Sequence, residues 1–155
     1  MRTLRFRIWH DKRKAWVWDA PGAPNLLGEC NIMGYILGMD EKATSITELN
    51  DLIVEQFTGL YDSTKWEDLT EKQRGEWSSW RMYDAETWKG FPIFEGDTLE
   101  YTDLDSEIPI TEILNVEWSD EATGYIVQEK GEKQFFSLFI VKGCCKVIGN
   151  IHELQ

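Results

Sequence analysis

The chain is short of the residue types that most often reveal chemistry. Of its 155 residues only two are histidine and three are cysteine, and neither type is grouped at the spacing of a metal site. No nucleophile motif of the form G-x-S-x-G and no phosphate-binding loop is present. These absences predict no catalytic, metal-binding or cofactor-binding residues, and they make an enzyme the weakest interpretation.

Long apolar runs are missing as well. The longest, Phe135 to Val141, is far shorter than the roughly 20 residues of a membrane-spanning helix. The first ten residues alternate in polarity and do not form the apolar block of a secretory signal. An odd number of cysteines, with Cys144 and Cys145 adjacent, is a poor basis for a disulfide framework. We therefore expect a cytoplasmic protein.

Positive charge is also scarce, because 28 acidic residues outweigh 16 basic ones and the formal net charge is −12. A field of this sign repels phosphate backbones. The exception is the first strand, where Arg5 and Arg7 alternate with Leu4, Phe6 and Ile8. We interpret the arginines as the solvated face of a strand whose apolar residues face a core. Contact of these two arginines with nucleic acid is the alternative.

What the chain does have is β-strand patterning, which begins in residues 1–62. The runs LRFRIW and AWVW flank a charged turn and predict a hairpin. Residues 21–28 are rich in proline and glycine and predict a loop. The apolar residues 30–39 predict one strand or two short ones. This region is therefore expected to be β-rich.

Two further elements are predicted before residue 62. The S-x-x-E spacing that starts at Ser45 predicts a short helix over 46–51. Residues 52–57 predict a strand that ends at the Thr58-Gly59 turn. A helix over the same residues is the alternative, because periodicity alone does not decide between them.

Residues 63–90 contain four of the eight tryptophans and predict a helical insert. The T-x-x-Q spacing of Thr70 and Gln73 is that of a capping box. Asp84 is predicted to cap a second short turn that carries Trp88. Side chains that recur at intervals of three and four are expected on one helical stripe: Trp66, Leu69, Gln73, Trp77 and Trp80.

The tryptophans of this insert have two interpretations. A stripe at helical spacing usually packs against a core. The functional interpretation is an exposed aromatic patch that binds a protein partner or a second copy, because tryptophan is enriched at interface hot spots. The candidate interaction residues are Trp66, Trp77, Trp80 and Trp88. Stacking on nucleic-acid bases is disfavoured, since acidic residues outnumber cations around them.

Residues 91–155 predict five short strands separated by turn-rich joints, which is typical of a small, strongly bent barrel of the SH3-like kind. The predicted strands cover residues 97–102, 113–118, 124–129, 135–141 and 145–151. Before the first of them, Gly96 supplies the freedom for a tight turn and Asp97 caps it. The fourth is predicted to be the most buried, so a charge at Phe139 is expected to abolish soluble expression.

Several short motifs along the chain occur in a specific order. They are Phe6-Arg7-Ile8-Trp9, Gln56-Phe57-Thr58-Gly59-Leu60, Phe94-Glu95-Gly96-Asp97 and Val147-Ile148-Gly149-Asn150-Ile151. Their order resembles that in the YopX family of phage and prophage proteins. The LT-x-x-Q-x-x-x-W helix between the second and third motifs is similar to an insert found in some members. The resemblance implies an SH3-type barrel in the C-terminal part and a viral origin, and it implies no activity.

The sequence thus predicts a mainly β protein with a short helical insert (α+β). Its expected parts are an N-terminal β-rich region (1–62), a tryptophan-rich helical insert (63–90) and an SH3-like five-stranded barrel (91–155). The predicted function is that of a phage or prophage accessory protein in the bacterial cytoplasm, acting through contacts with a host or phage protein and as a homo-oligomer. The alternative is a nucleic-acid-associated small-barrel module that uses the basic first strand.

Overall fold

The computed structural model describes residues 6–12, 14–16, 51–81, 83–103, 105, 108–132 and 134–153. The chain divides into two compact units, Met1–Phe57 and Thr58–Gln155. The predicted loop over 21–28 and the apolar segment 30–39 lie outside the described residues. So does the predicted helix over 46–51, apart from Asp51, which lies in a turn.

The first unit contains the predicted hairpin. Strand β1 (Phe6–His10) pairs antiparallel with β2 (Ala15–Trp16), with Trp9 opposite Trp16. On its other side β1 pairs antiparallel with β3 (Leu52–Tyr61), from Phe6 opposite Gln56 to His10 opposite Leu52. Ile8 and Trp9 are buried. The prediction of a strand at 52–57 is confirmed, and the helical alternative is wrong.

Strand β3 does not end at the Thr58-Gly59 turn, so that prediction is wrong. Gly59 takes a positive φ of 87° inside the strand, which glycine adopts at little cost. The hydroxyl of Thr58 donates to the carbonyl of Ile93 (2.8 Å) and accepts from the N–H of Leu60 (3.2 Å). Ile93 lies in β4 (Pro92–Phe94), which the sequence did not predict and which completes a sheet of order β2-β1-β3-β4.

The helical insert begins with a 3₁₀ helix (Trp66–Asp68), and α1 (Glu71–Arg81) follows it. The capping box that starts α1 is confirmed. The N–H of Thr70 donates to Oε1 of Gln73 (2.9 Å), and the N–H of Gln73 donates to the hydroxyl of Thr70 (3.2 Å). Because α1 starts only after Thr70, the predicted stripe is divided, and Trp66 lies on the 3₁₀ helix.

The second sheet has five antiparallel strands in the order β8-β7-β6-β5-β9. They are β5 (Asp97–Asp103), β6 (Ile110–Ser119), β7 (Gly124–Glu129), β8 (Phe135–Ser137) and β9 (Cys145–Asn150). The first four form a meander, and β9 returns to pair with β5. No pairing among the described strands closes the sheet into a barrel. The protein is therefore mainly β, with two antiparallel sheets and few helices.

The prediction of one buried strand over 135–141 is wrong. Only β8 is extended, and a one-turn helix, α2 (Leu138–Val141), follows it. The hydroxyl of Ser137 caps this helix by accepting from the N–H of Phe139 (3.3 Å). The spacing of three then buries Leu138 and Val141 on one face and leaves Phe139 64% exposed. A charge at Phe139 is thus not expected to prevent folding.

The core of the second unit lies on one face of the five-stranded sheet. Leu114 and Val116 alternate along β6, and Val127 lies opposite Val116, as period-two burial requires. The buried residues of this core are Ile93, Leu99, Leu114, Val116, Val127, Leu138, Val141 and Cys145. α2 closes one side of the core because both of its buried side chains belong to it.

The turn at Glu95-Gly96 connects β4 to β5 as the sequence predicts. Gly96 has φ of 80°, a region that favours glycine. Its N–H donates to the carbonyl of Val116 (2.8 Å). Asp97 is fully buried, and its Oδ2 accepts from the N–H of Phe94 (2.8 Å). The Asp97 carboxylate therefore caps the turn, because it lies after the turn and accepts from the N–H of the residue before it.

Candidate interaction surfaces

Arg7, one of the two predicted nucleic-acid contacts, is held inside the first unit. Its Nε donates to Oε2 of Glu55 across the β1–β3 pairing (2.7 Å), and the two side chains are 12% and 3% exposed. The solvated-face interpretation is therefore wrong for Arg7, because its cation is partly buried against a carboxylate. Arg5 lies outside the described residues.

Three of the four candidate tryptophans belong to one aromatic cluster, which we define as Trp66, Trp77, Tyr83, Trp88 and Phe91. Trp88 is at its centre, with its ring centroid 5.7 Å from Trp66 and 5.1 Å from Trp77. The contacts are edge-to-face, the arrangement that aromatic quadrupoles favour. Trp77 is buried, and Trp66 and Trp88 are half-buried. The side chain of Trp80 is not among those described.

The position of Trp88 in the aromatic cluster is fixed by a capped turn. Oδ1 of Asp84 accepts from the N–H and the hydroxyl of Thr87 (2.9 and 2.7 Å). These hydrogen bonds to Thr87 lower the pKa of Asp84, because they stabilise the charged form. The indole N–H of Trp88 donates to the carbonyl of Thr64 (2.8 Å). The predicted cap is confirmed. It lies directly before Trp88, whose side chain is directed toward Thr64.

A buried carboxylate that the sequence did not single out lies between this insert and the second sheet. Asp62 is 5% exposed. Its Oδ1 accepts from the N–H groups of Thr64 (3.0 Å) and Phe91 (2.8 Å). Its Oδ2 accepts from the hydroxyl of Thr64 (2.9 Å) and the N–H of Val147 (3.0 Å). One side chain thus joins three segments that are distant in the sequence.

Asp62 and its neighbour cover the outer side of β9. Ser63 donates both its N–H (2.9 Å) and its hydroxyl (2.7 Å) to the carbonyl of Cys145. With the Asp62–Val147 bond, this satisfies backbone groups that an edge strand would otherwise expose. Burial raises the pKa of the Cys145 thiol to about 12, and the negative charge of Asp62 adds to the effect. Cys145 is therefore a neutral core residue and not a nucleophile.

The opposite edge of the sheet is apolar and exposed. Over six residues, β8 and α2 present four large apolar side chains, which we call the apolar edge: Phe135 (40% exposed), Phe136 (50%), Phe139 (64%) and Ile140 (72%). Folded proteins usually bury or pair such groups. Sequence reasoning assigned these residues to the core. The signal for their exposure was Ser137, a helix-capping residue inside the run.

The described residues provide no material for a metal centre. Among them, no group of three or more His, Cys, Asp and Glu side chains could hold an ion. His152 is half-buried, and its N–H donates to Oδ1 of Asn150 (2.9 Å). None of the helices in the described ranges is long and apolar enough to cross a membrane.

The fold and its surfaces define a mainly β protein of two antiparallel sheets that has a partly buried aromatic cluster and an apolar edge. Residues 82–154 match the family model described as YopX protein. The resemblance predicted from the ordered motifs is therefore confirmed for this part of the chain.

The crystal structure of protein EF1440 from Enterococcus faecalis is similar, with a TM-score of 0.44 and 16% sequence identity. The similarity covers 99% of this chain and 96% of that chain. No curated protein matches the chain.

Proposed function

We propose that this chain is a phage- or prophage-encoded accessory protein that acts by binding another protein and by associating with itself. The observation that carries the proposal is the apolar edge. Four large apolar side chains within six residues stay exposed although the core of the same unit lies directly beside them. An apolar surface of this kind is typical of a protein-binding site.

The YopX match supports a phage origin, and the strand order supports a partly open SH3-like barrel. A four-strand meander whose first strand pairs with the returning fifth strand has the connectivity of such barrels. The helical turn α2 before β9 would form one of their corners. Small barrels of this type serve many functions, so the connectivity supports a binding module without defining its partner.

The tryptophans are a second candidate surface, with Trp66 as the member best suited to contact a partner. Trp77 is buried, and Trp88 is held by Thr64 and by the rings around it. Trp66 has an edge contact with Trp88 alone among the cluster rings and remains half-buried. A partner bound here would be lost when Trp66 is truncated.

The nucleic-acid alternative stays a prediction that rests on Arg5. Replacing Arg7 by glutamate would bring two carboxylates together beside the buried Glu55 and would damage the fold, so this variant cannot test the alternative. Arg5→Glu alone is the usable variant. Steep salt dependence of DNA or RNA binding that Arg5→Glu removes would support the alternative, and no binding at low salt would dismiss it.

The experiment for the main proposal is affinity capture with the full chain, using a lysate of a bacterium that carries the prophage. The wild type is compared with Phe139→Asp, with Trp66→Ala and with the control Ile148→Asp, which changes an exposed residue of β9. A protein retained by the wild type and the control but lost with Phe139→Asp supports the proposal. Identical captures by all four chains, together with a strictly monomeric wild type, would refute it.

A further inference from the structure

The five-stranded sheet has two edge strands that differ in what lies beside them. At β9, the carbonyl of Cys145 accepts from Ser63 and the N–H of Val147 donates to Asp62. At β8, the sheet ends, and no described strand pairs with its outer side. β8 therefore has the edge that is open to another strand.

The covered edge restricts how two copies could join their sheets. Pairing β8 of one copy with β9 of another would displace Asp62 and Ser63 from their bonds. Such a head-to-tail contact would also leave a new open edge at each step. Antiparallel pairing of β8 with β8 uses the open edge of both copies, so neither copy keeps an unpaired β8. The geometry of the two edges thus favours a closed, two-fold pair.

The charge of this surface also suits a second copy. Residues 134–141 contain no charged side chain, and they form the longest such run in the described part of a chain whose net charge is −12. A cationic partner would find no carboxylate within the run. A second copy brings uncharged surface against uncharged surface, which avoids like-charge repulsion at the centre of the contact.

Charged residues flank this segment on both sides, and the turn before β8 carries both signs because Lys130 is exposed there as well. Glu129 and Glu132 are exposed around the turn before β8. Lys142 follows α2, and its ammonium lies 3.8 Å from the centre of the Phe139 ring. Antiparallel strands place the start of one beside the end of the other. In a β8–β8 pair, Glu132 of one copy therefore lies at the same end as α2 and Lys142 of the other.

We propose that β8 pairs antiparallel with β8 of a second copy about a two-fold axis at Phe136, with Phe139 and Ile140 covered at the contact. This inference rests on the proposed function and names the partner of the apolar edge. Cross-strand aromatic pairs stabilise antiparallel sheets, and the axis brings the two Phe136 side chains together. Three strand residues and one helical turn form a small interface, so the association is weak and depends on concentration.

Sedimentation equilibrium of the full chain, from about 5 to about 500 µM, tests the proposal. The wild type is expected to shift from a mass of 18.1 kDa toward twice that mass. Ile140→Asp should raise the dimer Kd at least about tenfold, because it places a carboxylate in the uncharged centre. The matched control Ile148→Asp, on the covered edge, should leave the Kd within about twofold. Circular dichroism confirms that both variants fold.

Charge reversal tests the orientation of the pair. Glu132→Lys and Lys142→Glu should each weaken the dimer about threefold, and the double variant should restore it. Hydrogen exchange gives an independent readout, since the amides of β8 should become protected as the concentration rises while those of β6 do not change. Additive weakening in the double variant would contradict the antiparallel arrangement.

The inference and the proposed function can fail separately. A monomer throughout the concentration range, or equal weakening by Ile140→Asp and Ile148→Asp, overturns the β8 pair. If such a chain still captures a protein that Phe139→Asp releases, the binding function stands and the second copy is the wrong partner. If it captures none, both proposals fail.

Discussion

The two edge strands of the second sheet, β9 and β8, differ in whether their unpaired backbone groups are covered. β9 is covered by Asp62 and Ser63, which come from the end of β3 and satisfy backbone groups of Cys145 and Val147. β8 is three residues long and stays open, with two exposed phenylalanines. Edge strands invite pairing with other chains, and proteins cover them or shorten them. Here one edge is covered and the other is only shortened.

The covered edge and the open edge differ in whether their side chains have bonding capacity left for another molecule. The covered edge contains a buried carboxylate whose four accepted hydrogen bonds all come from its own chain, so it has no capacity left for a ligand. The open edge contains four large apolar side chains that stay 40% to 72% exposed. The buried polar groups of the covered edge therefore stabilise the fold, and the exposed apolar groups of the open edge are the surface that the proposals assign to binding.

The comparison predicts that loss of Asp62 has the largest effect on stability. Asp62→Ala removes the acceptor of four hydrogen bonds and leaves the partly buried N–H groups of Phe91 and Val147 without it. The free energy of unfolding should fall by about 4 kcal/mol, since each of the four hydrogen bonds contributes about 1 kcal/mol. Urea denaturation measures this loss. Asp105→Asn, at an exposed position, is the control and should change stability by less than about 0.5 kcal/mol.

At the open edge, two adjacent residues should contribute very different amounts to stability, because one is buried and the other is exposed. Leu138 is fully buried in the core and Phe139 is exposed. Leu138→Ala should lower the free energy of unfolding by about 3 kcal/mol. Phe139→Ala should lower it by about 0.5 kcal/mol, mainly through loss of the contact with Lys142. Denaturation at low micromolar protein keeps self-association from contributing. Equal losses would restore the buried-strand interpretation of residues 135–141.

The sequence could predict the elements whose signals are local. The capping box at Thr70, the Asp84 cap, the Gly96 turn and the strand at 124–129 each depend on residues a few positions apart, and all are confirmed. Residues 135–141 were misassigned because an apolar run suits a buried strand as well as a capped helical turn. Ser137 was the signal that distinguished the two.

The role of Asp62 could not be predicted, for a physical reason. Its donors at Phe91 and Val147 are 29 and 85 residues away in the chain. Every residue except proline has a backbone N–H, so the sequence does not show which of them pair with Asp62. The tryptophans illustrate the same limit. Their spacing indicated a helical stripe, yet the cluster is assembled by Trp88 and Phe91 from beyond the helix.

A side chain added at Gly90 should also disturb the covered edge, because Gly90 lies against Asp62. It has φ of 100°, and a Cβ there would overlap the backbone carbonyl of Asp62 and lie 2.8 Å from its Oδ1. Gly90→Ala is therefore expected to lower the free energy of unfolding by about 2 kcal/mol. Gly75→Ala is the matched control, because Gly75 lies in α1 with nothing within 4 Å of the added methyl. It should raise stability by about 0.5 to 1 kcal/mol, and a loss at both positions would contradict the steric argument.

The smallest expected effect concerns the thiols, which report on the covered edge without changing the fold. Cys145 is buried with a pKa raised to about 12, whereas Cys144 is half-buried. In a Cys30→Ser background at pH 8, a disulfide reagent such as Ellman's should label Cys144 quickly and Cys145 very slowly, because the thiolate is the reactive form. Cys144→Ala should remove the fast phase. The rate at Cys145 should rise with pH toward 12, since the folded chain holds its proton until then.

Asp62→Asn should also accelerate labelling of Cys145, because the amide nitrogen cannot accept from the N–H groups that hold the loop over β9. Phe139→Ala, at the other edge, should leave the rate at Cys145 unchanged. If Cys145 were labelled as fast as Cys144 in the wild type, β9 would be as open as β8. The two edges would then be equivalent, and the case for β8 as the pairing edge would lose its geometric basis.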